Sequence, residues 1–238
     1  MSYKIILLDS GRVLNKPTSG HWMIPPKFFN TVNKDIFDKI NKRRKNNAFR
    51  YAMKYIDSMS TMHDMAEEYE HFQEYYRLFF SQLPELNLSE EMIEDIAKDL
   101  VFNLDKYIFY EDALEIIPKL SKMYCLAVVS DAWPSLNHVF EHNDFLKYFE
   151  VFINSSLIGV RKPDALMYVS ALKQSGYAAS EAVFVDDRAK NCDGAKAVGI
   201  ERTYLMSRNS LEYFYNRLVI RNHKVVRNLN MVFIDLAK

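Results

Sequence analysis

The 238-residue sequence predicts an α/β protein: a three-layer core on a parallel sheet, with an all-helical domain inserted into it. Three observations carry this. Apolar runs without polar alternation stand at residues 5–8 (IILL), 126–129 (LAVV), 151–153 (VFI) and 182–185 (AVFV), which suits strands buried on both faces. From residue 126 onward these runs alternate with helical stretches, as strands do in a parallel sheet covered by helices. Between the first run and the others, residues 16–105 show helical periodicity and no convincing strand.

The elements follow in order. Residues 5–8 form the first strand and lead into a turn. Helical stretches are predicted at 26–45, 49–59, 62–83 and 89–103. Pro84 ends the third, and Ser89 before Glu90 and Glu91 marks the start of the fourth, with acids at the positive end of the helix dipole. The core resumes with strand 126–129, helix 134–142, strand 151–153, helix 164–174, strand 182–185 and helix 191–198, which stops at Gly199. A less regular strand at 203–206, a helix, a short edge strand at 224–226 and a final helix complete it. The predicted boundaries are 1–15 and 106–238 for the core and 16–105 for the insertion.

Composition narrows the function classes. With 49% hydrophobic and 14% aromatic residues the chain can bury a sizeable core. Lys plus Arg and Asp plus Glu each number 31, so nothing global favours a nucleic-acid or anionic-membrane partner. No apolar run approaches the roughly 20 residues of a membrane span, and four apolar residues after Lys4 are too few for a signal peptide. Cys125 and Cys192 cannot alone build a disulfide framework or a four-ligand zinc site. A cytoplasmic protein is expected; its oligomeric state is not readable.

Ligands of open α/β sheets bind beyond the carboxyl ends of the strands. After IILL comes Asp9; after LAVV come Ser130 and Asp131; after AVFV come Asp186 and Asp187. The loop SLIGVRKPD brings Lys162 directly before Pro163. If the strands are parallel neighbours, several carboxylates, a hydroxyl and an ammonium share one crevice. Carboxylates so close resist ionising, and a hard divalent cation such as Mg²⁺ resolves the conflict. The lysine, hydroxyl and backbone N–H groups suit a phosphate.

In these segments (LLDSGRVL, VVSD, RKPD and VFVDDRAKNCDGAKAVGI, in that order) the chain resembles the haloacid dehalogenase superfamily, in the subgroup with a helical cap after the first motif. The resemblance implies a Rossmann-like core and a Mg²⁺-dependent phosphatase acting on a small phosphorylated metabolite. Asp9 would be the nucleophile that forms an aspartyl-phosphate, Ser130 would bind the phosphoryl group, and Lys162 would orient the nucleophile. Asp9, the carbonyl of Gly11, Asp186 and Asp187 would hold Mg²⁺. Ser10, Gly11 and Asp131 would contact substrate, and Asn191 would organise the loop.

One departure matters. Most phosphatases of the superfamily carry D-x-D at the first motif; here the second position is Gly11, followed by Arg12. The carbonyl contact survives, but the acid–base role, typically worth about 10²–10⁴ in rate, does not. Water, an acidic leaving group or Asp131 could replace it, and Asp131 could equally cap a helix. A non-catalytic binder of a phosphorylated ligand is the alternative; a metal-free 2-haloacid dehalogenase is a third, opposed by the Asp186–Asp187 pair.

Among other features, His21 and Trp22 in KPTSGHWMIPP are candidate substrate contacts or a structural plug, because the resemblance places this loop beside the crevice. Arg12 could clamp a substrate anion or face solvent. The basic stretch 39–54 is expected to be a solvated helix face, and the aromatics of 68–83 core packing. Cys192 stands at a helix start, where a lowered thiol pKa or an inert packed thiol are both open.

Overall fold

A computed structural model describes residues 3–237. Its strands are β1 (Ile5–Leu8), β2 (Asn15–Pro17), β3 (Tyr107–Phe109), β4 (Cys125–Ser130), β5 (Val151–Asn154), β6 (Ala182–Asp186), β7 (Arg202–Met206) and β8 (Lys224–Val226). Six of them form one parallel sheet in the order β5-β4-β1-β6-β7-β8, flanked by helices, and β2 pairs with β3. This is the α/β fold that unalternated apolar runs predict: all four residues of β1 are fully buried. Tyr168, Met167 and Ala171 of helix Ala165–Ser175, with Cys192 and Ala195 of helix Ala189–Ala197, pack on Ile5, Leu7, Ala127, Val129 and Phe184. Burying each large apolar side chain contributes roughly 1.5–3 kcal/mol.

Contacts divide the chain into two compact units: residues 3–16, 109–132 and 140–237 contain the sheet, and Pro17–Ile108 with Trp133–Val139 form a helical unit. The boundary expected from sequence places residues 133–139 in the core. They group with the helical unit because Ser135 donates from its N–H and Oγ to the buried Glu68 at 2.7 and 2.6 Å and accepts from Lys106 Nζ at 2.6 Å, while Trp133 meets Phe72 edge-on.

Within the helical unit, the stretch expected as one helix over 26–45 is three: Phe28–Thr31, Lys34–Lys39 and the start of Lys42–Ser58. Asn33 and Asn41 break it, each accepting a backbone N–H of the next helix on its side chain. Lys42–Ser58 then runs through the break expected at 46–48, burying Ala48, Ala52 and Ile56 on one side. Met65–Ser81 starts on Asp64 and buries Phe72, Tyr75, Tyr76, Phe79 and Phe80. Glu90–Phe102 starts on Ser89, as its sequence indicates. Helix Glu111–Leu120 in the core was not anticipated; Pro118 in its last turn disguises it. Among the described residues no helix is long and apolar enough to cross a membrane.

Candidate active site

The sheet register brings three strand ends level. Leu8 pairs with Val128 on one side and Val185 on the other, so Asp9, Ser130 and Asp186 leave the same edge. β1 is also where the chain switches direction, with β4 and β5 to one side and β6, β7 and β8 to the other, the usual position of a ligand crevice.

Carboxylate oxygens of Asp9, Asp186 and Asp187 all lie within 4.8 Å of one another. Lys162, its side chain 1% exposed, donates to Asp9 Oδ1 at 2.7 Å and Asp186 Oδ2 at 2.6 Å. Asp186 accepts further from the Arg188 N–H at 2.8 Å and from Asn191 Nδ2 at 3.0 and 3.1 Å. Arg12 approaches Asp187 Oδ2 at 3.3 Å. Burial, with help from Asp186 and Asp187, pushes the Asp9 carboxyl up to about 7 against the pull of Lys162. Asp187 is raised by burial and Asp186. Burial also disfavours the Lys162 ammonium, but Asp186 and Asp9 outweigh it and hold it above its ordinary value.

These groups fit a hard divalent cation. Three carboxylates face one buried ammonium and one exposed guanidinium, an excess of negative charge made of oxygen donors. The turn after Asp9 adds to the fit. Ser10 O accepts the N–H groups of Val13, Leu14 and Asn15, and the Arg12 and Val13 carbonyls accept from Arg208; the Gly11 carbonyl takes no part in these bonds.

The other expected site residues fall as follows. Ser130 is buried at the end of β4, opposite Asn154. Ser10 is buried and its Oγ accepts from Asn15 Nδ2 at 2.7 Å, so its side chain serves the turn. Asp131 Oδ1 accepts the Lys162 N–H at 2.9 Å, which ties the lysine loop to β4, and burial raises its carboxyl. His21 and Trp22 belong to the helical unit: His21 packs on Phe49 with ring centroids 4.4 Å apart, and Trp22 meets Tyr107 edge-on at 5.2 Å. Burial pushes the Cys192 thiol up, so the lowered pKa entertained for it does not hold.

Sequence reasoning missed three residues. Arg208, just beyond β7, is held by Asp112 at 2.9 and 3.1 Å while binding the turn after Asp9. Neither Arg208 nor Asp112 lies in a motif that would single it out. Gly194 did carry a signal, a glycine inside a helix. A Cβ there would meet Pro163 Cβ at 2.6 Å, Pro163 O at 2.8 Å and Tyr168 Oη at 2.8 Å. Its absence lets helix Ala189–Ala197 close on the Lys162–Pro163 loop.

A family model for haloacid dehalogenase-like hydrolases matches residues 46–205, a span that includes Ser130, Lys162, Asp186 and Asp187 and begins after Asp9. The sesquiterpene phosphatase astK of Aspergillus oryzae is 42% identical over 57 residues, 24% of this chain and 29% of that protein, so the match spans less than a third of this curated relative. A HAD phosphatase from Thermococcus onnurineus superposes with a TM-score of 0.62 at 19% identity, over 98% of this chain and 97% of that one. The L-2-haloacid dehalogenase of Xanthobacter autotrophicus, with chloropropionic acid covalently bound, superposes with a TM-score of 0.61 at 15% identity, over 97% and 96%. At these identities the two structures share the fold.

Proposed function

The chain belongs to the haloacid dehalogenase-like hydrolase family, and on that premise we propose that it is a Mg²⁺-dependent phosphatase acting on a small phosphorylated metabolite. The observation that carries this reading is the cluster of Asp9, Asp186 and Asp187, three carboxylates at one point of the sheet edge. The matched stretch of a sesquiterpene phosphatase supports it.

In this reading Asp9 attacks the phosphorus, the bond to the leaving oxygen breaks, and water later hydrolyses the aspartyl-phosphate. Lys162 fixes the Asp9 carboxylate through the 2.7 Å contact and holds Asp186 beside it. Ser130 hydrogen-bonds the phosphoryl group. Asp9, the Gly11 carbonyl, Asp186 and Asp187 would hold the cation, with Asn191 orienting Asp186. When bound, Mg²⁺ would offset the carboxylate repulsion, keep Asp9 ionised and polarise the phosphoryl oxygens. The leaving oxygen needs a proton that Gly11 cannot supply, and Asp131, which follows Ser130 and is tied to the Lys162 loop through its Oδ1, is the acid we assign.

Phosphate release from an aryl phosphate, with Mg²⁺ or with chelator, tests the reading. Release that persists in Asp9→Asn sinks the mechanism. A second reading, metal-free dehalogenation, draws on the Lys162, Arg188 and Asn191 donors that already meet the charge of Asp186. Halide release from a 2-haloacid in the presence of chelator would establish it.

A further inference from the structure

Arg12 occupies a backbone conformation that side chains normally avoid. Its φ is +59°, in the left-handed region, whereas its neighbour Gly11, which would tolerate that region freely, has no positive φ. A residue stays so only where its surroundings over-determine it. Here the Arg12 N–H donates to Asn15 O at 2.7 Å, and its carbonyl accepts from Arg208 Nε at 2.9 Å. Arg208 in turn donates to Val13 O at 2.6 Å, is held by Asp112, and lies 3.6 Å over the Tyr110 ring.

The effect is to carry the Arg12 guanidinium over Asp187. Exposure of the side chains rises outward along this line, from 1% at Lys162 through 11% at Asp9 and 15% at Asp187 to 65% at Arg12. The guanidinium thus stands at the solvent side of the carboxylate cluster, and Lys162 at its buried side. Lys162 is locked between two carboxylates. The contact of Arg12 to Asp187 is longer, 3.3 Å, and uses a single guanidinium nitrogen, so the rest of the planar fork suits phosphate or carboxylate.

We propose that Arg12 is a specificity-determining residue that grips an anionic group on the leaving group, next to the scissile phosphate. A diphosphate ester is the simplest such substrate. Arg208 is the positioning residue that holds Arg12 in the left-handed turn. The choice of substrate rests on the phosphatase reading, and the test separates the two.

With Mg²⁺ present, kcat and KM are measured for an alkyl monophosphate and the diphosphate of the same alkyl group. Arg12→Gly removes the guanidinium and suits the left-handed backbone, so it is expected to melt no lower than wild type. It should raise KM for the diphosphate about tenfold or more, and by at least about fivefold more than it raises KM for the monophosphate. Arg12→Lys should restore part of the loss. Arg208→Lys should raise the diphosphate KM in wild type and not in the Arg12→Gly background.

Equal effects on both esters, or no rise for the diphosphate, overturn the assignment of Arg12. Equal effects of Arg208→Lys in both backgrounds overturn its positioning role. Calorimetric titration with pyrophosphate and with inorganic phosphate gives a readout independent of turnover. A chain that hydrolyses neither ester yet prefers pyrophosphate, with the preference lost in Arg12→Gly, refutes the phosphatase reading and keeps Arg12 as the residue that selects a diphosphate group. No preference for pyrophosphate overturns it.

Discussion

Substituting Gly194 by alanine tests whether close packing behind the site holds Lys162 in place. Two effects oppose each other. Alanine favours a helix interior over glycine by about 1 kcal/mol. Against that, the new Cβ would stand 2.6 Å from Pro163 Cβ and 2.8 Å from both Pro163 O and Tyr168 Oη. Tyr168 is buried and its hydroxyl donates to Asn191 O at 2.8 Å, and the other two atoms belong to a proline, so none is the free end of a flexible side chain. Overpacking of this kind costs typically 1–3 kcal/mol, and contacts this short belong at the upper end. The net expectation is a loss of about 1–2 kcal/mol, or roughly 3–6 °C in Tm for a chain of this size. The loop that moves carries Lys162, and a displacement of about 1 Å at a positioned group can lower turnover by up to about 10²-fold. Thermal melts and steady-state phosphate release are the assays. Gly176→Ala is the control: φ there is +76° with nothing within 4 Å, so it should lose about 1 kcal/mol through backbone strain and keep its activity. Wild-type stability and turnover in Gly194→Ala would refute the reasoning.

Other predictions concern the charges. Lys162→Met leaves Asp9 and Asp186 buried without their shared cation, and a denaturant melt should show a loss of about 3–5 kcal/mol. Adding Asp9→Asn to that variant should return part of the stability, a coupling that independent sites would not show. Asp187→Asn should weaken Mg²⁺ binding in calorimetry about tenfold or more, and chelator should abolish wild-type phosphate release. Burial and Glu150 push the Cys125 thiol up to about 12, so between the ordinary thiol value and about 12 the unfolded chain is ionised where the folded chain is not. Stability from this group is therefore present below the ordinary value and lost as pH rises toward about 12. At pH 8 a thiol reagent should leave Cys125 and Cys192 unmodified in the folded protein and label both on unfolding.

Apolar runs and the residues that follow them are enough to read the class of fold and to group the acids of the inner site. Runs such as IILL can only be buried on both faces, and the acids that follow them must then share one edge of a parallel sheet. The grouping of Asp9, Asp186 and Asp187 is legible for that reason, Lys162 only from its loop before Pro163, and a helix start from Ser89. Local signals failed where a local rule was overridden. Asn33 and Asn41 cut an amphipathic stretch by capping new helices, and Pro118 is tolerated inside a helix that its presence seemed to forbid. How the site is braced depends on contacts between distant segments. Arg208 reaches the carbonyl of Arg12 across 196 residues, Gly194 is needed because Pro163 lies against it, and Ser135 joins the helical unit through Glu68 and Lys106. Periodicity records which residues are buried, but not which buried or bracing groups meet. That depends on strand order and register, which bring distant segments to within hydrogen-bonding distance, and no window of neighbouring residues encodes it.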